Sequence, residues 1–334
     1  MSFRGELGQW PAERVQRLIE QAGPDDVARA IARENRTPAD LAALLSPHAV
    51  PRLEAIAQEA HRLTRWHFGR TIGMYAPIYI SNVCQADCAY CSYAAGSGST
   101  LQRVTLDEAG IRRECEALAA LGYQNVLLLT GEAPEIATVD YIARAVAIAR
   151  EHFAAVSVEI YALDLDGYER LCAAGLEGVT LYMETYDRDT YGPLHPKGQK
   201  RDFDFRLDAI ERAGRAGARR LSIGALLGLF DWRTDGFWGA LHARYLQNVC
   251  WQSAVALSFP RLRNVPERFR VPYPVADRDL VQLMLAMRLF LPEAGFNLST
   301  RERAAFRDHL IPLGVTMMSA GSSTRPGGYA TYGD

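Results

Sequence analysis

The pattern of hydrophobic and polar positions changes near residue 71, where helical periodicity gives way to short apolar runs alternating with amphipathic stretches. The apolar runs are typical of strands buried on both faces, as in parallel sheets. We predict strands at residues 71–80, 125–129, 156–160, 178–182, 219–223, 254–258, 295–298 and 314–318. Helices are predicted between them at residues 106–121, 140–153, 165–174, 203–216, 234–250, 276–291 and 303–310. This alternation favours an α/β fold, a (β/α)8 barrel of the TIM type, over an open doubly wound sheet.

The first 70 residues lack this alternation and carry helix signals instead. Pro24 and Pro38 each open a predicted helix, with carboxylates following in the first turn. Residues 51–68 form one longer amphipathic helix. We therefore predict an N-terminal helical extension over residues 1–70, a barrel over residues 71–330 and a short C-terminal end over residues 331–334.

The functional groups of a (β/α)8 barrel lie where the strands end and the βα loops begin. Polar or charged residues follow nearly every predicted strand of this chain. In strand order they include Cys84–Cys91, Thr130–Glu132, Glu159, Glu184, Arg261 with Arg263, Arg301, and Ser319–Ser323. The sequence thus predicts one site at the mouth of the barrel.

Half of the six cysteines, Cys84, Cys88 and Cys91, fall within eight positions with the spacing C-x3-C-x2-C. Thiolates are ligands for zinc and for iron–sulfur clusters, and a loop this short aims three of them at one centre. Three cysteines without a nearby fourth favour an iron–sulfur cluster with one open iron over a closed zinc site. The alternatives are a structural zinc knuckle and three unrelated buried cysteines.

Five residues near the second, third and fourth strands suit ligand contacts. Gly131 allows close approach to the backbone, and Glu132 can accept hydrogen bonds from an ammonium group. The alternative is a helix N-terminal turn with a favourably placed glutamate. Glu159 suits ribose hydroxyls and Arg206 suits a carboxylate, although each, like Glu184, would equally form an ion pair at the barrel rim.

Arg301 is the best candidate for binding a substrate carboxylate, with the hydroxyls of Ser319, Ser322 and Ser323 at the adjacent strand end. Residues 299–302 also match a helix N-terminus with a capping serine and a glutamate in the first turn. The two interpretations are compatible.

Weaker candidates lie on other predicted loops. Arg261 and Arg263 follow the sixth strand, where one would face the mouth and the other the solvated rim. His195 and Lys197 lie on a long polar loop, where a histidine usually has a hydrogen-bonding role. Residues 224–228 form a glycine-flanked apolar turn that a tight βα connection would also explain.

Charge and composition narrow the class of protein. The 334 residues include 37 basic and 39 acidic side chains, for a formal net charge of −2, so nothing indicates nucleic-acid binding. No apolar run reaches membrane length and no signal peptide is visible at the N-terminus. An oxygen-labile cluster predicts a cytoplasmic, reducing location. We expect buried, reduced thiols at the remaining cysteines, Cys115, Cys172 and Cys250.

The cysteine loop, with the aromatic Tyr90 before its last cysteine, resembles the cluster loop of radical S-adenosylmethionine enzymes. The resemblance extends over residues 66–330. Its motifs follow one another as in the aromatic amino-acid lyases of this superfamily, including the tyrosine lyases of thiamine thiazole synthesis. The motifs stand at residues 184–186, 195–198, 202–207, 224–229, 258–263, 298–302 and 319–329.

This resemblance implies a 4Fe–4S cluster on the three cysteines, with S-adenosylmethionine chelating the open iron. It implies that Glu132 meets the methionyl amino group, and that Leu226 and the backbone of Tyr90 meet the adenine. The implied reaction generates a 5′-deoxyadenosyl radical, which takes a hydrogen atom from the amine of L-tyrosine. Scission of the Cα–Cβ bond then yields 2-iminoacetate and p-cresol, while Arg301 holds the carboxylate.

The resemblance further implies a one-electron donor such as flavodoxin or ferredoxin, and it suggests thiazole synthase as a partner. Thr130, Met183 and Asp187 depart from the family's usual Gly, Gln and His. The chain stops at Asp334, before the tail usual in the thiamine enzymes, which suggests truncation or a divergent branch. The absence of a cysteine-bearing C-terminal extension disfavours the hydrogenase-maturation role. The alternatives are a tryptophan lyase that makes 3-methyl-2-indolic acid and a non-catalytic, zinc-stabilised barrel that serves as a binding subunit.

Overall fold

The computed structural model describes residues 2–98, 100–263 and 265–331, and its parallel strands close into a barrel in sequence order. The pairing of β1 with β8 closes the barrel. The strands are β1 Gly73–Ser81, β2 Asn125–Thr130, β3 Ala155–Glu159, β4 Gly178–Thr180, β5 Arg220–Ile223, β6 Ala254–Ser258, β7 Gly295–Leu298 and β8 Met317–Ser319. The predicted (β/α)8 barrel with an N-terminal helical extension is confirmed.

The N-terminal helices are α1 Phe3–Gly8, α2 Ala12–Gln21, α3 Pro24–Ala32, α4 Pro38–Leu45 and α5 Leu53–Phe68. Those of the barrel are α6 Glu108–Ala120, α7 Val139–Arg150, α8 Leu165–Ala173, α9 Arg188–Leu194, α10 Phe203–Leu207, α11 Ala209–Arg215, α12 Trp232–Val249, α13 Asp277–Phe290 and α14 Ala304–Leu310. Short 3-10 turns occupy Pro47–Arg52, Gln199–Arg201 and Ile311–Leu313. No helix of the described residues has the length and hydropathy needed to cross a bilayer.

Two helices differ from the sequence prediction. The helix predicted over residues 203–216 is divided into α10 and α11, and α9 lies in what was predicted as a polar loop. The side chain of Asp187 caps α9 by accepting a hydrogen bond from the backbone N–H of Thr190 at 2.8 Å. Tyr191 on α9 is buried and packs edge-on against Phe203, at 5.0 Å between ring centroids. This helix positions the loop that follows it, which contributes Lys200 to the wall of the site described below.

The N-terminal helices pack on α12 and α13 and share one hydrophobic core with the barrel. The ring of Phe3 stacks on His242, with centroids 4.3 Å apart, and Trp238 Nε1 donates to the carbonyl of Trp10 at 2.7 Å. The division of the chain at residues 70 and 71 stays a prediction. Of the predicted C-terminal end, residues 332–334 lie outside the described residues.

The barrel interior is partly open and is lined by both polar and apolar side chains. Ala76, Ile78 and Ile80 of β1 are fully buried in the main core, whereas the alternate residues Tyr75 and Tyr79 line interior cavities. A lower cavity with an empty volume of about 1220 Å³ reaches the amino ends of the strands. The carboxyl ends carry a second cavity, on which the candidate site is built.

Candidate active site

One cavity at the carboxyl ends of the strands brings together most of the predicted site residues. Its empty volume is about 880 Å³, and its walls come from the first four strands and the loops that follow them. The predicted residues that line it are Cys84, Cys88, Tyr90, Cys91, Gly131, Glu132, Glu159, Glu184 and Arg206. Leu226 packs on Tyr90 in a small apolar cluster at the edge of this cavity. Arg301 lines an adjacent pocket that shares Tyr182 with it, and Ser319 lies beneath the Arg301 loop.

The cysteine loop follows β1 directly, and its three thiols are free. Gln85 N–H donates to the Glu132 carbonyl at 2.8 Å, and Tyr93 N–H donates to the Sγ of Cys91 at 3.3 Å. Within the described ranges, no three His, Cys, Asp or Glu side chains already surround a position for a single metal ion. An iron–sulfur cluster requires a different arrangement of ligands, because each thiolate binds a different iron atom.

Packing against Gly131 fixes the position of Cys84. A Cβ at residue 131 would lie 2.8 Å from the carbonyl carbon of Val83 and 3.0 Å from the Cβ of Cys84, so glycine is required by the protein's own loop. Burial raises the pKa of Cys88 to about 11 and also raises that of Cys91. Thiolates here therefore need a neighbouring cation. Free thiols on one cavity wall fit a cluster that supplies such a charge.

Glu132 is held by the loop that follows α9. Its Oε1 accepts a hydrogen bond from the Lys200 N–H at 2.8 Å. Gly198 has a φ of +81°, and a Cβ there would lie 2.6 Å from the same oxygen, so both backbone conformation and space favour glycine. An ionised carboxylate accepts about four hydrogen bonds. Glu132 therefore retains capacity to accept from an ammonium group.

Glu184 is the centre of a buried charge network. The Nζ of Lys200 lies 2.5 Å from Glu184 Oε1, and a guanidinium nitrogen of Arg206 lies 3.5 Å from the same oxygen. Burial disfavours the ionised carboxylate, but Lys200 and Arg206 more than offset this and hold the pKa of Glu184 below its ordinary value. Arg206 Nε also donates to the Tyr182 carbonyl at 2.8 Å. Lys200 and Arg206 are thus both paired with Glu184. The sequence analysis did not identify Lys200 as a site residue.

Tyr90 is fixed by a histidine of the loop after α9. Its hydroxyl lies 2.8 Å from His195 Nε2, and His195 Nδ1 lies 2.8 Å from the Tyr191 carbonyl. Because a carbonyl can only accept, Nδ1 carries the proton and the hydroxyl of Tyr90 donates to Nε2. Burial lowers the pKa of His195 to about 3, which keeps the ring neutral. The predicted hydrogen-bonding role of this histidine agrees with these contacts.

Glu159 is a half-buried carboxyl group at the end of β3. Burial raises its pKa to about 7, and the charge of Arg301 opposes this shift only in part. Glu159 in turn contributes to the raised pKa values of Tyr75 and Tyr182, which are set mainly by burial. A carboxyl group that changes charge near neutral pH therefore lies within electrostatic reach of the candidate substrate-binding arginine.

Arg301 follows β7 and is exposed at the same end of the barrel as the cysteine loop. Ser319 is buried, and its hydroxyl accepts a hydrogen bond from the Thr300 N–H at 3.0 Å. Ser319 therefore supports the backbone beside Arg301. In the same segment, the hydroxyl of Ser322 is buried without a partner among the described residues, and Ser323 N–H donates to the hydroxyl of Tyr329 at 2.9 Å.

Arg261 and Arg263 are not free at the mouth. Arg261 is buried and forms a two-pronged pair with Glu302, at 2.8 Å and 2.5 Å, while Arg263 donates to Glu302 at 2.8 Å. The Nη2 of Arg261 also lies 2.8 Å from a carboxylate oxygen of Asp277. The expectation that one of these arginines faces the mouth is not met, because Arg261 is buried against Glu302 and Asp277. The side chain of Arg263 is 41% exposed, as expected of the arginine at the solvated rim. Together they fix the loop that carries Arg301.

The class of protein follows from this architecture. A closed parallel barrel with three free cysteines on its first βα loop is the arrangement expected of a radical S-adenosylmethionine enzyme. The sequence model of the Radical SAM superfamily matches residues 78–235, and that of the Biotin and Thiamin Synthesis associated domain matches residues 258–333. The Radical SAM match includes the three cysteines of the loop, Cys84, Cys88 and Cys91. Membership of this class implies a 4Fe–4S cluster and S-adenosylmethionine as cofactors.

Particular relatives narrow the class. The chain is 43% identical over 306 residues to 2-iminoacetate synthase of Salmonella typhimurium and 44% identical over 306 residues to that of Escherichia coli. Each match covers 91% of this chain and 81% of the relative. The crystal structure of the FeFe-hydrogenase maturase HydG from Carboxydothermus hydrogenoformans is 30% identical, with a TM-score of 0.83, over 97% of this chain and 74% of that chain. The chain belongs to the 2-iminoacetate synthase family, and the resemblance seen in its sequence is confirmed.

Proposed function

We propose that this protein is a radical S-adenosylmethionine lyase that cleaves the Cα–Cβ bond of L-tyrosine to 2-iminoacetate and p-cresol, for thiamine thiazole synthesis. The observation that carries the proposal is the 43–44% identity to two 2-iminoacetate synthases over 91% of the chain. The site supports it, because the free thiols and the carboxylates line one cavity.

The cofactor contacts are part of the proposal. Cys84, Cys88 and Cys91 would hold the 4Fe–4S cluster, since they are free thiols on one cavity wall. When bound, the cluster and S-adenosylmethionine supply a 5′-deoxyadenosyl radical by one-electron reductive cleavage. Glu132 would accept from the methionyl ammonium with the capacity that Lys200 leaves free.

Five further residues would shape the rest of the S-adenosylmethionine site. Tyr90 and Leu226, packed together, would flank the adenine. Glu159 would accept hydrogen bonds from the ribose hydroxyls, and Glu184 with Arg206 would close the polar wall beside it. Their common task is to orient the cofactor and exclude water from a reactive intermediate.

Substrate binding is assigned to the seventh and eighth units of the barrel. Arg301 would bind the tyrosine carboxylate through its guanidinium fork. Ser319 would act with it by fixing the adjacent backbone through the bond from Thr300. This placement would turn the substrate amine toward the cavity in which the cofactor contacts converge. A misplaced amine would expose another hydrogen atom to the radical, so orientation decides the product.

The remaining assignments concern the setting of the enzyme. We propose a cytoplasmic protein that receives electrons from a flavodoxin or a ferredoxin and passes its labile imine to a thiazole synthase. We also propose residues 1–70 as the helical extension, residues 71–330 as the catalytic barrel and residues 331–334 as the C-terminal end. Pull-down of the reconstituted enzyme with a thiazole synthase, and reduction assays with each electron carrier, test these partners.

Product analysis tests the function itself. The enzyme is reconstituted anaerobically with iron and sulfide, supplied with S-adenosylmethionine and a reductant, and given L-tyrosine or L-tryptophan in parallel. We expect p-cresol, together with glyoxylate from hydrolysis of 2-iminoacetate, from tyrosine alone. A variant with Cys88→Ala is the control, since it should lose the cluster and both products. An indolic product from tryptophan without p-cresol from tyrosine would assign the enzyme to the tryptophan lyases, and stoichiometric zinc without iron would exclude a radical enzyme.

A further inference from the structure

We propose that Asp235 is a positioning residue that holds Glu184 in the S-adenosylmethionine cavity, and Leu226 at its edge, by anchoring the loop after β4. The inference rests on the proposed function, because it takes the cavity to be the S-adenosylmethionine site. Asp235 lies in the first turn of α12, is 1% exposed and does not line the cavity. It is therefore not a contact of the cofactor.

The anchor consists of two hydrogen bonds to consecutive residues. The Oδ1 of Asp235 accepts from the hydroxyl of Thr185 at 3.0 Å and from the N–H of Tyr186 at 2.8 Å. The Thr185 hydroxyl oxygen in turn accepts from the Asp187 N–H at 3.1 Å. One buried carboxyl group thus fixes the three residues that follow Glu184.

The loop needs an anchor because its backbone is strained at Glu184. Among the described residues, Glu184 is the one non-glycine residue with a positive φ, at +69°. Such a conformation persists only where its surroundings enforce it. The Glu184 carbonyl accepts the N–H of Leu226 at 2.7 Å, and its carboxylate binds Lys200 and Arg206. If the backbone relaxed, both the charge network and the adenine-side residue Leu226 would move.

The protonation state of Asp235 suits this role. Burial raises its pKa to about 8, so the group is largely a neutral acid at pH 7. Its Oδ2 has no hydrogen-bond partner among the described residues, so Oδ1 carries the anchor alone. The amide oxygen of asparagine can accept the same two bonds. Asp235→Asn should therefore preserve the function, whereas Asp235→Ala removes the acceptor.

The test combines these two variants with Glu184→Gln. S-adenosylmethionine affinity, 5′-deoxyadenosine formation and p-cresol formation are measured on enzymes matched for iron content. We expect Asp235→Ala to reduce p-cresol formation on the order of 100-fold, as for a reacting group displaced by about 1 Å. Asp235→Asn should stay close to the wild type, because its amide oxygen accepts the same two hydrogen bonds. In the Glu184→Gln background, Asp235→Ala should add little, because the two residues act as one unit.

Matched controls separate positioning from stability. Asp231→Ala removes the N-terminal cap of the same helix, where Asp231 accepts from Thr234, and should lower Tm without changing cofactor affinity. Thr185→Val removes one bond of the anchor and replaces Asp235→Ala if that variant does not fold. Equal damage from Asp235→Asn and Asp235→Ala, or full multiplication of the Asp235→Ala effect in the Glu184→Gln background, would overturn the proposal. If the wild type fails to cleave tyrosine, the proposed function fails, while cofactor affinity still tests the anchor.

Discussion

Gly131→Ala tests whether the second βα turn sets the geometry of the cysteine loop. The added Cβ would overlap the carbonyl oxygen of Val83, and it would lie 2.8 Å from the carbonyl carbon of Val83 and 3.0 Å from the Cβ of Cys84. All three contacts are with the loop that carries the thiols, and those with Val83 are with rigid backbone. The clash cannot be relieved by rotating a flexible side chain.

The required displacement follows from these distances. Two carbon atoms in contact lie about 3.5 Å apart, so the 2.8 Å distance to the carbonyl carbon alone requires the Val83 backbone to move by about 0.7 Å, and the nearer carbonyl oxygen requires more. Overpacking of this kind costs about 1–3 kcal/mol. The larger consequence is chemical, because Cys84 moves with Val83 while Cys88 and Cys91 do not. A displacement approaching 1 Å at a reacting group lowers rates on the order of 100-fold.

Iron content and turnover measure this effect separately. We expect Gly131→Ala, reconstituted anaerobically, to bind less iron and sulfide and to form 5′-deoxyadenosine on the order of 100-fold more slowly. Gly5→Ala in α1 is the matched control, because a Cβ at Gly5 meets no atom within 4 Å. Wild-type iron content together with wild-type 5′-deoxyadenosine formation in Gly131→Ala would refute the reasoning.

Further predictions concern the substrate arginine, the titrating carboxyl group and the buried ion pair. Arg301→Ala should cleave S-adenosylmethionine but yield little p-cresol per 5′-deoxyadenosine, whereas the exposed neighbour Arg303→Ala should keep the wild-type ratio; a wild-type ratio in Arg301→Ala contradicts the assignment. Glu159, with a pKa raised to about 7 from an ordinary 4.5, binds more protons in the folded state than in the unfolded state between these values, so it makes stability fall as pH rises. Between pH 5 and pH 8, the free energy of unfolding measured in urea should fall by on the order of 1–3 kcal/mol less in Glu159→Gln than in the wild type. An equal fall in both proteins would be inconsistent with the raised pKa. Arg261→Met should lower the free energy of unfolding by about 3–5 kcal/mol, because it leaves the buried carboxylate of Glu302 underpaired. Arg263→Met should lower it by under about 1 kcal/mol, because the Arg263 side chain is 41% exposed. Equal losses of Tm in the two variants would argue against this ranking.

Some structural features could not be derived from local preference. Helix α9 contains Gly192 and Pro193, which predict a loop by helix propensity. The helix forms because Asp187 caps it and Tyr191 is buried against neighbouring rings. Tertiary packing thus outweighs local propensity in the segment that positions His195.

The sequence alone determined the alternation of strands and helices, the order of the loops at the mouth and the thiol spacing from Cys84 to Cys91. These features depend on periodicity and covalent spacing, which are local and can be read from the sequence without knowing how the side chains pack. Barrel closure decided which charges meet. It brought Lys200 to Glu184, and it turned Arg261 toward Glu302 rather than toward the mouth. Such pairings join residues from different βα units, and their energies depend on distance and burial, which exist only once the barrel has closed.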